Sequence, residues 1–570
     1  MTETMLKQLH ATTFHRPAFA GKYVVIISAF IVGFTIFFRA QIISRFDLLF
    51  GDRGDTRFVL FIHEHVFRAM LGRSDFLSPP FFYDFTNALS FSDAFLLNQI
   101  IYAPIRGLGA DPYLALLLTI MTLSIAGYGF LYGLLRRFGR VPVIIAVFAS
   151  FIFTFANNLF VNANHLQLFA IYYAPVVAYF GSYAIVEIHT NKIRSLIAGG
   201  AAGLLYGLLF STGYYTAWFF GLSLLIFTPI FIFLSWRAVR AWLVAGPVRI
   251  GTLGLAFVDG FVIGLIPFMF IYGPAMKVTG SNDFDEYLLY APTFADIANV
   301  GANVIWTHVL DKVGFALDGR ISGGGEQSFA LTPGLQLLLL LSLMVGLRTR
   351  YWGISNRDEL TRAVIIAGVI VCIALFFITI KYREQSVFLI LFRVVPGAGA
   401  IRAGYRAMIV ANFFAAISVG LAIDRIWLML SRQSVTELKI KFVCSAIVGL
   451  MMLGLVEQVN LTQNSSVSRA FERIHFASVN SASTDCESFY IANEPDQPTT
   501  IVQIDAMLVA QRVGIPTING YSGNRPIGWN LYDSTDANYE KNARAWAVRR
   551  GIERRLCRFD MAKGTFARRD

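Results

Sequence analysis

Apolar runs set the pattern of this chain. Eleven of them, at 23–43, 113–135, 141–157, 166–187, 195–212, 215–235, 252–274, 333–347, 363–380, 407–430 and 441–457, are close to the roughly 20 residues that a bilayer core requires. Each predicts a membrane-spanning helix. The polar positions between them fall into two kinds. Arg136–Arg140, Lys192–Arg194, Arg237–Arg249, Arg348–Arg362 and Arg425–Lys441 are rich in Lys and Arg, whereas Asn157–His165 and Ser211–Thr216 contain neither. Positive charge stays on the cytoplasmic side, so the N-terminus is predicted inside and everything after residue 457 outside. The first 22 residues show no apolar core followed by a small-residue cleavage site, and the first run is read as its own insertion signal.

Composition agrees with the pattern. Of 570 residues 56% are hydrophobic and 15% charged, with mean hydropathy +0.58; soluble chains carry about 25% charge. The net charge of +12 would suit a nucleic-acid partner, but its location in the inward loops accounts for it. The predicted architecture is a mainly α, polytopic membrane bundle over 1–457, with exterior loops 44–112, 276–332 and 381–406. An α/β periplasmic domain over 458–570 follows it.

The exterior loops carry the chemistry. Phe50–Arg57 reads Phe-Gly-Asp-Arg-Gly-Asp-Thr-Arg, two carboxylates and two guanidiniums at the end of the first span. Phe58–Leu71 has the pattern of an amphipathic helix lying in the membrane interface, with Glu64 and Arg68 spaced i,i+4. Ser78–Asp84 contains two prolines that forbid helix and aromatics suited to the headgroup belt. A second interfacial helix follows at 94–108. Asn157–His165 offers amides and a histidine, either to a polar ligand or as helix caps. Tyr287–Tyr290 suggests interfacial packing, Gly323–Glu326 a hinge, and Val387–Val395 a re-entrant apolar piece. Arg402 and Arg406 stand where the positive-inside rule expects few cations, and so are candidates for a lipid phosphate. Asp259, inside the seventh span, is predicted to face the bundle interior.

Cys372 and Cys444 lie in apolar runs and read as packing residues. Cys486 and Cys557 lie in the exterior tail, where an oxidising compartment permits a bridge closing a loop of about 70 residues, worth ~4 kcal/mol. Two buried thiols are the alternative. His63-Glu64-His65 does not suit zinc, because histidines two apart on a helix diverge by about 200°.

A carboxylate pair beside arginines at a membrane surface suits transfer of a group from a lipid phosphate: one carboxylate deprotonates the acceptor and cations stabilise the departing phosphate. The plain structural reading of the same motif is an acidic turn with Asp55 as the helix N-cap.

The first span followed at once by an acidic pair, an interfacial helix, a second one and many further spans resembles the GT-C superfamily of polyprenyl-phosphate-sugar-dependent glycosyltransferases. Gly51–Asp55, Glu64-His65, Ser92-Asp93-Ala94, His165-Leu166-Gln167, Arg402–Arg406 and Asn519–Gly523 resemble a poorly characterised bacterial branch of it. The resemblance implies a catalytic carboxylate in the first exterior loop, Asp52 or Asp55, and does not choose between them; Asp55 is favoured here as base with Asp52 supporting it. Arg57, His65, His165, Arg402 and Arg406 are the candidates expected to line the substrate and lipid-phosphate site. A divalent cation, Mg or Mn, with Asp52 as a ligand stays open. The function expected is sugar transfer in a bacterial inner membrane, from a polyprenyl-phosphate donor to an envelope glycan, lipid or protein acceptor. The partners are membrane lipid and these substrates, with no nucleic acid. A non-enzymatic transporter or flippase, or an envelope-polymer assembly protein, is the competing class.

Overall fold

The computed structural model describes residues 19–279, 282–312, 328–349, 352–353, 355–430, 437–479, 486–491 and 497–568. All eleven apolar runs are helical. Among the described residues, seven helices are long and apolar enough to cross a membrane: Pro112–Gly139, Val143–Val161, Leu166–Glu187, Tyr214–Leu234, Pro247–Met276, Asn356–Thr379 and Gly404–Leu430. Shorter apolar helices at Gly21–Phe37, Pro333–Leu347 and Lys441–Val456, and the glycine-rich helix Lys192–Leu209, complete a polytopic bundle. Helix Ala407–Leu430 is its axis, packed by Asn356–Thr379, Pro333–Leu347 and Val143–Thr154 and buried along nearly its whole length.

Helix Pro247–Thr279 is peripheral and leans chiefly on Lys192–Leu209. A methyl group on Gly203, Gly207, Gly260 or Gly264 would collide with the backbone of the facing helix. Small residues let the two backbones touch, as in membrane helix pairs generally. That seam corrects the expectation for Asp259, which lies on the exposed face because its neighbour Gly260 occupies the packed one.

The first loop is the most altered from expectation. Helix Asp55–Met70 forms, but all residues from Thr56 to Val66 are buried, so it does not lie on a membrane surface. Its polar side chains find partners on every side, which is what allows a pattern that reads as amphipathic to be covered all round. Glu64 receives Arg106 Nε at 2.7 Å and Tyr102 Oη at 3.0 Å. The second helix is shorter than expected, Gln99–Gly107. Phe81 and Phe82 are buried rather than in a headgroup belt. Their segment runs beside the tail, with Phe82 N–H donating to Asn519 O at 2.9 Å and Thr517 N–H to Pro80 O at 3.2 Å.

The tail returns to the first loop through Leu48–Leu49, which pairs antiparallel with Val467–Ser468. Beyond it, strand Ser488–Ile491 pairs parallel with Leu556–Asp560, which pairs antiparallel with Thr565–Arg568. Helices Thr499–Val513 and Tyr539–Arg550 complete this small α/β unit. Cys486, two residues before strand Ser488–Ile491, forms a disulfide with Cys557 on strand Leu556–Asp560, and Cys372 is a buried free thiol. In the second loop Tyr287 is buried, stacked on Phe388 with ring centroids 4.4 Å apart. Gly323–Glu326 lies outside the described residues.

Candidate functional site

The start of helix Asp55–Met70 is built by Asp52. Its Oδ1 accepts the N–H groups of Gly54 at 2.8 Å and Asp55 at 3.0 Å, closing an Asx turn. Gly51 enters that turn at φ +80°, a backbone region that side chains rarely adopt. The N-cap position belongs to Gly54 and Asp55 is the first helical residue. The capping role expected of Asp55 therefore falls to Asp52, and the Asp55 carboxylate is released to project from the helix end.

Two partners from distant parts of the chain meet it. Tyr521 donates its hydroxyl to Asp55 Oδ1 at 2.7 Å, and His165 Nδ1 lies 2.9 Å from Oδ2. About a quarter of the Asp55 side chain stays exposed, 27% against 7% for His165, so the carboxylate and not the imidazole is the accessible member of the pair. Burial pushes the Asp55 carboxyl up, but the hydrogen bond and charge of His165, the Tyr521 hydroxyl and the Arg406 charge together hold it below the ordinary 3.8. Asp55 is ionised at neutral pH, and Tyr521 beside it is held protonated by burial and by that same carboxylate.

The arginines of the third loop stand nearby. Arg406 lies over the Tyr215 ring, 4.8 Å from its centroid, and its charge acts on both Asp55 and Asp93. Arg402 donates its backbone N–H to Tyr215 Oη at 2.9 Å and pairs with Glu286 at 3.0 Å, with its side chain 39% exposed. Asp93 is half-buried and accepts the Tyr214 N–H at 2.9 Å, the first amide of a membrane helix, where negative charge is favoured. Burial raises its carboxyl to about 6 against the pull of Tyr214 and Arg406.

Asp55, His165, Arg402 and Arg406 thus gather at one end of the bundle. Two expected site residues do not join them. Arg57 is completely buried and bound to Glu472 at 2.9 Å and to Asp505, because side chains two apart on a helix point about 200° from each other. His65 bonds Phe76 O at 3.0 Å, ten residues and about 15 Å along the helix from Asp55. Asp93, Tyr215 and Tyr521 are the residues missing from the expected set. Only the short segments Ser92–Ala94 and Asn519–Gly523 pointed toward two of them.

Within Asn157–His165, Asn162 caps the end of the short helix Asn157–Val161, its Nδ2 donating to Asn158 O at 2.9 Å, and amides of the segment also reach the second loop. Asn157 Nδ2 bonds Val300 O at 2.8 Å and Asn162 Nδ2 bonds Ser328 O at 2.9 Å, which ties the second loop to the bundle and holds His165 in place. Each Asp55 oxygen accepts a hydrogen bond, and an arginine supplies a nearby positive charge. Among the described residues no group of three His, Cys, Asp or Glu side chains is arranged to hold a metal.

His63 and His65 give this region a pH dependence. Burial lowers each from 6.5 to about 4. Both are neutral in the fold and gain protons on unfolding, so the stability they confer is complete above about pH 6.5 and is lost as pH falls toward 4. Each is worth on the order of 3 kcal/mol. Asp93, raised to about 6, opposes them over this window, but two imidazoles outweigh one carboxyl. The thermal midpoint in detergent is expected to fall between pH 7 and pH 4.5, and His63→Gln with His65→Gln to flatten that slope.

No protein-family model matches the chain, and no curated protein matches it. Among solved structures, the crystal structure of the Archaeoglobus fulgidus oligosaccharyltransferase in complex with Zn and sulfate aligns with 93% of this chain and 68% of its own, at 12% identity and a TM-score of 0.42. That likeness is too distant to bear on the site.

Proposed function

We propose that this protein is an integral-membrane glycosyltransferase that moves a sugar from a polyprenyl-phosphate carrier to a glycan, lipid or protein acceptor. The observation that carries the reading is the Asp55 carboxylate: ionised, partly exposed, clamped by His165 and Tyr521, with the Arg406 charge acting on it. Asp55 accepts the proton of the acceptor's nucleophilic group as that atom bonds to the anomeric carbon. The bond from that carbon to the phosphate oxygen breaks, and the lipid phosphate leaves with the electron pair. Arg406 and Arg402 stabilise the charge gathering on it. Asp52 is a positioning residue, since its carboxylate shapes the turn that presents Asp55. The distribution of Lys and Arg among the loops supports a bacterial inner membrane with the N-terminus in the cytoplasm and this site on the periplasmic face.

The test is incubation of purified protein with radiolabelled polyprenyl-phosphate sugars and a membrane extract. Sugar transfer that depends on Asp55 supports the proposal. Lipid scrambling with no transfer from any donor would replace it with a flippase. Tyr521→Phe checks the clamp separately: loss of a hydroxyl bonded to a charged group costs about 2 kcal/mol. It is expected to lower kcat by about thirtyfold and to move the acid limb of the pH–rate profile upward, toward the ordinary aspartate value of 3.8. An unchanged acid limb would assign Tyr521 to packing alone.

A further inference from the structure

The short helix Phe388–Val394 sits between two membrane helices, Asn356–Thr379 and Gly404–Leu430, at the same end of the bundle as Asp55. One face of it is anchored. Phe388 is fully buried, stacked on Tyr287 and 5.9 Å from the Trp218 ring. Phe392 packs on Phe284 at 5.2 Å. The chain beyond it is tied down as well: Trp218 Nε1 donates to Pro396 O at 3.1 Å and Tyr214 Oη to Gly397 O at 2.8 Å.

The other face is apolar and uncovered. Val387, Ile390 and Val394 are 58%, 64% and 74% exposed, at the i, i+3, i+7 spacing that lines one side of a helix. Exposed Tyr382, Arg383 and Arg393 flank them. Depth follows from the anchor. Trp218 is four residues into the membrane helix that begins at Tyr214, so its contact with Phe388 sets the short helix about 6 Å below that helix's end. This is the level of the boundary between headgroups and acyl chains. At that level an aliphatic stripe meets hydrocarbon, while arginine stems reach back to the headgroups.

We propose that Val387–Val394 is a lipid-docking lip, with Val387, Ile390 and Val394 inserted among acyl chains and Arg383 and Arg393 on anionic headgroups of the adjoining leaflet. Only the residues 395–401, themselves bonded to Tyr214, Trp218 and Asn282, separate the lip from Arg402. A lipid chain lying along it delivers its phosphate toward that guanidinium, and this delivery rests on the proposed transfer reaction.

The test uses the full-length protein in phosphatidylglycerol-containing nanodiscs, with Cys372→Ser and Cys444→Ser removing the free thiols and the disulfide kept. Nitroxides at Val387→Cys, Ile390→Cys and Val394→Cys are expected to collide with oxygen far more than with a water-soluble nickel complex; one at Glu384→Cys, on the hairpin, shows the reverse. Preference for the nickel complex at all three lip positions would overturn the proposal. In the transfer assay, Ile390→Asp with Val394→Asp is expected to raise KM for a long-chain donor about tenfold while leaving kcat and the KM of a short, water-soluble donor unchanged. An equal rise for both donors would remove the delivery role. Absence of transfer in every form would sink the proposed reaction, and the nitroxides decide the lip independently.

Discussion

Asp55→Asn is expected to lower sugar transfer by on the order of a thousandfold, the range spanned by general-base losses, with the fold intact. Asparagine has the same shape and keeps an acceptor oxygen for the Tyr521 hydroxyl, which now donates to Asp55 Oδ1 at 2.7 Å. What it lacks is the negative charge and the ability to take a proton. Its amide nitrogen would also face His165 Nδ1, which now lies 2.9 Å from Oδ2; one ring tautomer accommodates that change, so the site need not rearrange. Asp52→Asn is the matched control. Its side-chain oxygen can still accept the two backbone N–H groups, so the turn survives and the loss stays below about tenfold. Rates are read by single-turnover transfer and folding by the thermal midpoint. Equal transfer by the wild type and both variants would end the assignment of Asp55.

Arg57→Met is expected to be the most destabilising single substitution near the site, by about 3–5 kcal/mol, the cost of removing one partner from a buried ion pair. Arg57 lies between Glu472 and Asp505, and all three side chains are almost wholly buried. Without the guanidinium two carboxylates face each other in a closed space, with Arg53 3.5 Å from Glu472 and the His475 ring 3.0 Å from Asp505 as their remaining partners. Burial raises the Asp505 carboxyl, but the Arg57 charge and then His475 hold it below the ordinary 3.8. Its contribution to stability is therefore present above the unfolded value and lost as pH falls through the folded one. In Arg57→Met that depression goes, protonation becomes easier, and the gap to the wild type narrows between pH 6 and pH 4. Thermal unfolding across this range measures it; a gap independent of pH would mean that the loss is one of packing. Replacing Glu472 and Asp505 with their amides in the same chain should recover part of the stability.

The contrast between these two substitutions shows where reading along the chain stops. Asp55 and Arg57 are two residues apart in one charged motif, and in the sequence they are equivalent candidates. Helical geometry turns them about 200° apart, one into the opening with His165 and Tyr521, the other into the tail against Glu472 and Asp505. His65 is lost from the site through distance along the same helix. Helix Asp55–Met70 itself was legible, but its apolar stripe and polar face pointed to a membrane surface. The Arg106, Asp505 and Glu472 side chains that satisfy its polar face lie far off in sequence.

The long apolar helices are a local property. A run of apolar residues long enough to span hydrocarbon must satisfy its backbone within itself, so length and hydropathy determine it. The small tail sheet is not local: strand Ser488–Ile491 pairs with Leu556–Asp560 from the far end of the tail. The bridge between Cys486 and Cys557 needed register as well, since the two meet only because Ser488–Ile491 pairs with Leu556–Asp560. Which groups surround Asp55 was decided by tertiary structure alone. His165, Arg406 and Tyr521 come from one membrane-helix entrance, one interhelical loop and the tail, and no periodicity links such positions. Their meeting depends on how helices pack and how the tail folds back, and that is an energy shared among residues hundreds of positions apart.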